Sequence, residues 1–449
     1  MKETLLDICE RTVKLAEKMG ADQAEAYIGH SRSFEIEAEN SSIKSASERH
    51  ETGIGVRTIV GKKIGFAYVT TIEPSDIETI VSNSLGLARA SIEDPAFITL
   101  PSVEDTYQHP TGLFDSRVDE ISSEDTADLI IRTIEATKER LGDRNYAIDA
   151  GVDTASSIST IANSLGISET ESKTSISIFS YPILKEDGDQ TASYDYQVSR
   201  TLSDIDPEFV GHSAADLAIG FLRPKTIEGG EMPVVFAPLG ASAVLGRGFS
   251  GAVNAEEVQM GRSYISDALG NQIASAKLEI VDDGLLPGGI GSRSFDAEGY
   301  KSQHTPVIES GVLKNLLHNS YTANKDEVPN TGNASRPSYS GLPSISTTNF
   351  IVTPDKGDLQ SFISEMDRGV VCRNTSDRPN MTTGDLSAMI MEGYYVEHGE
   401  IQHPLKNTLI GINMLDLLRR ITHIGTDSRR TFSMITPSIV IDKATITSG

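Results

Sequence analysis

Phe34-Glu35-Ile36-Glu37-Ala38-Glu39 is the stretch on which the fold turns. Phe34, Ile36 and Ala38 face one way and the three glutamates the other, and a period of two describes a strand buried on one face. Upstream, Leu5, Ile8, Cys9, Thr12, Leu15, Ala16 and Met19 recur at helical spacing before Gly20, so a helix is predicted over residues 5–19. Downstream, Asn40-Ser41-Ser42 marks a turn, and strands are predicted over 53–60 and 63–71 around a Gly61-Lys62 hairpin. Helices are expected over 74–90 and 123–141, each with Pro or Ser near its start, and alternation resumes at 175–179 and 190–202. A further helix over 207–222 precedes Arg223-Pro224-Lys225-Thr226, read as the boundary between two domains, 1–222 and 223–449. Helices and strands segregate rather than alternate, which argues for an α+β fold of two domains, each with mainly antiparallel sheets and packed helices.

The second half has a different texture. A short apolar strand over 233–237 leads into a small-residue helix over 239–253. Two Gly-rich loops follow, Leu286-Pro287-Gly288-Gly289-Ile290-Gly291 and Phe295-Asp296-Ala297-Glu298-Gly299. A hairpin is predicted over 307–317, a long polar loop over 331–343, paired strands over 388–397 and 401–404, a helix over 414–420 and a last strand over 438–446.

Among 449 residues, 39 are Lys or Arg and 64 Asp or Glu, a formal charge of −25. Such a surface repels phosphate backbones, because nucleic-acid affinity comes largely from Lys and Arg displacing counterions. No run approaches the roughly 20 apolar residues of a membrane span. Met1-Lys2-Glu3-Thr4 leads into a charged helix pattern rather than a signal peptide, so a cytoplasmic location is expected. Cys9 and Cys372 are too few for a disulfide framework or a cysteine-based zinc site, and Cys372 reads as a buried structural thiol.

Nine histidines form no H-E-x-x-H pair, and His398 and His403 read as exposed residues flanking a hairpin turn. Gly248-Phe249-Ser250-Gly251 and Gly211-His212-Ser213-Ala214-Ala215 only approach the G-x-S-x-G elbow of a serine hydrolase. One constellation remains: Asp282-Asp283, Arg293, Asp296, Glu298 and His304 around the Gly-rich loops. It reads first as an organised loop network. Gly288, Gly289, Arg293, Asp296, Glu298 and His304 are the candidates for peptide or partner contact. A metal-assisted hydrolase built on Asp282, Asp283, Asp296, Glu298 and His304 stays open as an alternative.

Several stretches, in order, resemble the TldD/PmbA family: Gly112-Leu113-Phe114-Asp115-Ser116-Arg117, Asn163-Ser164-Leu165-Gly166, Pro233 to Pro238, Ile280 through Gly299, Thr331-Gly332-Asn333-Ala334, Thr383-Gly384-Asp385 and Ile410-Gly411. TldD-type members of that family carry H-E-x-x-x-H on the first helix of the second half and a cysteine near the C-terminus, and these bind a catalytic metal. The matching stretch here, Gly246-Arg247-Gly248-Phe249-Ser250-Gly251, has no imidazole or carboxylate, and residues 429–438 have no cysteine. The resemblance is therefore to the PmbA (TldE)-type branch, and no catalytic or metal-binding residue carries over. It implies an α+β chain without a cofactor of its own, paired with a TldD-like subunit that holds zinc, the heterodimer cleaving unfolded peptides. This chain would supply part of a chamber and strand edges for extended peptide. Whether homodimers form where the partner is absent is left open by the sequence, and nucleic acid and membrane are not expected partners. A homodimeric peptide- or ligand-binding regulator without hydrolysis is the alternative reading.

Overall fold

The computed structural model describes residues 4–103 and 106–449. The reading of Met1-Lys2-Glu3 lies outside them. Helix α1 (Leu5–Lys18) opens with a capping box, in which the Thr4 hydroxyl accepts from Asp7 N–H while the Asp7 carboxylate accepts from Thr4 N–H. There follow β1 (Gln23–Glu39), β2 (Ser42–Val60), β3 (Lys63–Val69), α2 (Pro74–Ala90), the short α3 (Ser116–Asp119), α4 (Ser123–Leu141), β4 (Asn145–Asn163), β5 (Ser168–Glu186), β6 (Asp189–Ala192), β7 (Asp195–Ser199) and α5 (Pro207–Gly220). The strands make one antiparallel sheet in the order β3-β2-β1-β4-β5-β6, with β7 also on β5. At 19 residues each, β2, β4 and β5 would reach roughly 60 Å at about 3.3 Å per residue.

The period of two sorts the two faces of this sheet. Ile28, Ile36, Ile54, Val56, Ile148, Val152, Ile176 and Ile178 are buried on one of them. Helices α1 and α2 cover one end of that face, and α4 and α5 the other. Full burial of a side chain of this size contributes roughly 1.5–3 kcal/mol. The opposite face carries Glu25, Gly29, Glu35, Gly53, Asp153 and Ser177, with Glu35 opposite Asp153 and Asp153 opposite Ser177. It meets the C-terminal half instead of a helix layer. Gly53 permits one such approach, because a Cβ there would stand 2.2 Å from the Tyr339 ring.

In that half, β8 (Gly230–Phe236) lies inside an eight-stranded sheet, antiparallel to Ile439–Ser448 but parallel to Arg368–Asn374. Helix α6 (Pro238–Gly248) follows, and Ala241, Val244 and Leu245 pack in one core with Val234, Phe236 and Phe249. A six-stranded sheet joins β9 (Ile280–Asp283), β10 (His304–Glu309) and β11 (Val312–Leu313) to Phe350–Val352, Met434–Thr436 and Arg429–Thr431. Phe350–Val352 runs parallel to Met434–Thr436, so the two larger C-terminal sheets are mixed. Helix α6 is shorter than the predicted 239–253, because the chain turns at Phe249 while the Tyr264 hydroxyl donates to Gly248 O at 2.7 Å. Among the described residues, no helix is long and apolar enough to cross a membrane.

Candidate functional site

Two regions lie where the first sheet meets the C-terminal half, one polar and one lined mainly by apolar and aromatic side chains. The first is the pair of Gly-rich loops. Gly288 adopts φ +62°, donates from N–H to Thr111 O at 2.9 Å and accepts from Arg430 Nη1 at 3.1 Å. Gly289 O accepts from Arg200 Nε at 3.3 Å. Asp296, 1% exposed, accepts from Glu298 N–H and Tyr300 N–H at 2.8 and 2.9 Å and from Ala334 N–H at 3.0 Å, and so shapes the second loop. Its burial, reinforced by the Glu298 charge and opposed by Arg293, pushes its carboxyl up to about 7.

Glu298 is also 1% exposed, and one of its oxygens accepts from both Arg57 Nη atoms at 3.2 Å. The other accepts from Ser320 N–H at 2.9 Å and from the Ser320 hydroxyl. Arg57 also donates to Glu25 at 2.5 Å, and Glu25 pairs in turn with Arg336. The Arg336 guanidinium lies over the Tyr27 ring at 5.0 Å. Asp282 accepts from Thr348 N–H at 2.7 Å, the Thr348 hydroxyl at 2.9 Å and Asn333 Nδ2 at 2.7 Å, and burial pushes its carboxyl up to about 6. Arg293 donates to Gly332 O at 3.2 Å. His304 is exposed, with Nδ1 at 3.2 Å from an Asp283 oxygen across the β9–β10 ladder.

The loops are thus an internal clamp between the two halves. The five-residue metal set is corrected: Asp282, Asp296 and Glu298 are committed to donors of their own chain, while His304 stands outside with Asp283. Buried this deeply, Asp296 and Glu298 present no surface to a peptide or a partner. His398 pairs with Asp367 at 3.1 Å, and His403 stacks on Tyr395 at 5.5 Å, so each has its own neighbour. Ser213 lies within α5, and Cys372 is buried, its thiol pushed up to about 12 by desolvation.

The second region is a cleft of about 680 Å³. Asp153, Phe179 and Tyr181 of the first sheet form one side, and Ala243, Gly246 and Arg247 of α6, followed by Ser250, form the floor. Tyr194, Tyr196 and Phe432 make an aromatic wall, with rings 6.1 Å apart between the tyrosines and 5.6 Å apart between Tyr196 and Phe432, both stacked. Arg429 supports this wall from behind: it pairs with Asp195, donates to Tyr196 O at 3.2 Å and lies over the Tyr196 ring at 5.2 Å. Asn374 Nδ2 donates to the Tyr194 hydroxyl at 3.2 Å. Phe432 is 55% exposed and sits at φ 53°, a region that bulky side chains seldom occupy.

Sequence reading singled out none of the wall residues, which come from distant segments without a shared motif. It did mark residues 246–251 and 429–438, and the cleft brings these two stretches together. A zinc site needs about three imidazole, thiolate or carboxylate ligands. Of the cleft-lining residues Asp153 alone is a carboxylate, and none is His or Cys, so the residues present do not fit such an ion. Among the described residues as a whole, no group of three or more His, Cys, Asp or Glu is placed to hold one.

Models described as PmbA/TldA metallopeptidase domain 1, central domain and C-terminal domain match residues 24–88, 116–222 and 229–448. The chain belongs to the TldD/PmbA metallopeptidase family. A protein named metalloprotease TldD homolog from Buchnera aphidicola is 27% identical over 404 residues, 87% of this chain and 82% of that protein. Metalloprotease PmbA of Escherichia coli O157:H7 is 25% identical over 434 residues, 94% of this chain and 92% of that protein. The crystal structure of TldE from Thermococcus kodakarensis shares the fold with a TM-score of 0.91 at 21% identity, covering 98% of this chain and 100% of that one.

Proposed function

We propose that this chain is the metal-free, PmbA (TldE)-type subunit of a TldD/TldE-type metallopeptidase complex. It supplies a chamber wall and a peptide-binding cleft, and a TldD-like partner carries the zinc and the cleavage step. Relatives named for both branches match at 27% and 25% identity, so overall similarity does not separate them. The observation that carries the reading is the floor of the cleft, where Gly246, Arg247 and Ser250 offer hydrogen, guanidinium and hydroxyl groups instead of metal ligands. A guanidinium also disfavours a nearby dication.

The test is co-purification with a TldD-like homologue from the same source, with metal analysis of each chain and hydrolysis of an unfolded peptide. Zinc should follow the partner, and cleavage should require both chains. Chelator-resistant hydrolysis by this chain alone, or one equivalent of transition metal retained by it, would overturn the reading. A second reading is a homodimeric peptide- or ligand-binding regulator. It is favoured by the cleft being lined within one chain. Tight peptide binding with no cleavage on adding a TldD-like partner would support it.

A further inference from the structure

We infer that Arg247 and Phe432 make the cleft a receptor for a peptide carboxylate set beside an aromatic residue. This rests on the peptide-handling role proposed above and specifies what the cleft selects.

The first argument is charge. In a chain of net charge −25, the arginines near the cleft are already engaged: Arg373 with Glu392, Arg429 with Asp195, Arg430 with Gly288 O and Arg200 with the Gly289 and Thr174 carbonyls. Arg247 differs. It is exposed, its one hydrogen bond is a long contact from Nη1 to Thr375 O at 3.5 Å, and no carboxylate among the described residues pairs with it. Among the described residues it is also the one Lys or Arg lining the cleft. A guanidinium fork left in this state matches a carboxylate, with two parallel N–H donors for two oxygens. Asp153 sets the direction. It lines the opposite side and lies near the Glu37 charge, so an anionic group is turned from the sheet toward α6.

The second argument is the wall. Phe432 is more than half exposed, in a backbone conformation that disfavours a large side chain, and it ends the stack through Tyr196 to Tyr194. A strained, exposed ring held over a cavity is the kind of feature that persists at binding sites. The floor beneath it is small: a Cβ on Gly246 would already stand 3.2 Å from Met434 Cγ. The rings and α6 line the same cleft, which suits a planar side chain lying against the wall. The carboxylate then comes either from the peptide's C-terminus or from an acidic side chain next to the aromatic residue.

The experiment is fluorescence anisotropy on the full chain with three labelled probes: Ala-Ala-Ala-Phe with a free carboxylate, the same peptide as its C-terminal amide, and Ala-Ala-Glu-Phe amide. The free carboxylate should bind at least about tenfold more tightly than the plain amide, as a charge-assisted hydrogen bond predicts. If the Glu-containing amide binds as well as the free acid, the source is a side chain; if it binds like the plain amide, the source is the terminus. Arg247→Gln should remove the preference and Arg247→Lys should restore part of it. Phe432→Ala should weaken the free-acid Phe probe more than it weakens a fourth probe, Ala-Ala-Ala-Ala with a free carboxylate. Equal binding of all three probes, or a preference unchanged in Arg247→Gln, would overturn the inference and leave the peptide-handling role standing. Failure of every probe to bind, with and without a TldD-like partner, would overturn both.

Discussion

The Gly-rich clamp and the cleft face the same sheet surface, yet their charges are used in opposite ways. In the clamp, Glu25, Arg57, Glu298 and Arg336 are buried and pair with one another, and Asp296 holds the N–H groups of Glu298, Tyr300 and Ala334. In the cleft, Arg247 has no carboxylate partner among the described residues, and Phe432 is exposed at a strained position. Charges paired with one another across the seam hold the halves together, whereas a charge left without a counterion at a cavity is available to a ligand.

The contrast breaks most decisively at Glu298. Glu298→Ala leaves the buried Arg57 short of an anion and Ser320 N–H without an acceptor, and should cost about 3–5 kcal/mol in urea unfolding. Arg247→Gln, on an exposed side chain, should stay within about 0.5 kcal/mol. If the two variants lose stability equally, the division between clamp and cleft fails.

The pH dependence comes next in size. Burial and the neighbouring Glu298 charge hold the Asp296 carboxyl up at about 7, above its ordinary 3.8. Between these values the folded state holds a proton that the unfolded chain has released, so stability declines as pH rises through the interval. From about pH 5 to about pH 8 the loss should be about 2–3 kcal/mol, at about 1.4 kcal/mol per pKa unit. Asp296→Asn should remove most of that decline in urea midpoints and leave a smaller one of the same sign from Asp282, held up at about 6. Glu25 and Asp195 are held below their ordinary values and act with the opposite sign, on the acid side of this window.

Gly53→Ala tests the Tyr339 contact. Overpacking there should cost about 1–3 kcal/mol and lower the melting temperature. The smallest effect is expected at His304, whose alanine variant should change stability by less than about 0.5 kcal/mol and leave peptide binding untouched. A large loss in that variant would mean the clamp extends to the surface.

Much of the fold is legible in the sequence wherever local chemistry repeats. The strand at residues 34–39, the hairpin at Gly61-Lys62 and the helices Pro74–Ala90 and Ser123–Leu141 all form where patterning and caps place them. Strand β4 escapes notice, because Gly151, Ser156, Ser157 and Ser159 blunt its alternation, and pairing with β1 and β5 supplies what the local pattern lacks. The outer part of β2, residues 42–51, is exposed throughout and carries no apolar stripe to reveal it. Parallel pairing of β8 with Arg368–Asn374 depends on contacts across long sequence separations and leaves no local signature. At the site, the Gly-rich loops advertise themselves through composition, but their role is mechanical. The aromatic wall has no motif at all. Only the missing ligands at residues 246–251 and 429–438 pointed to the cleft, and they did so through a resemblance.

The β1–β4 ladder has a further consequence for how the molecule can be divided. It pairs residues 25–38 with 150–163, joining segments that belong to separate family models. Severing the chain between them would leave each portion with a long naked strand border, prone to self-association. The two segments are therefore one cooperative unit despite their separate profiles, and any chimera between relatives has to exchange them together.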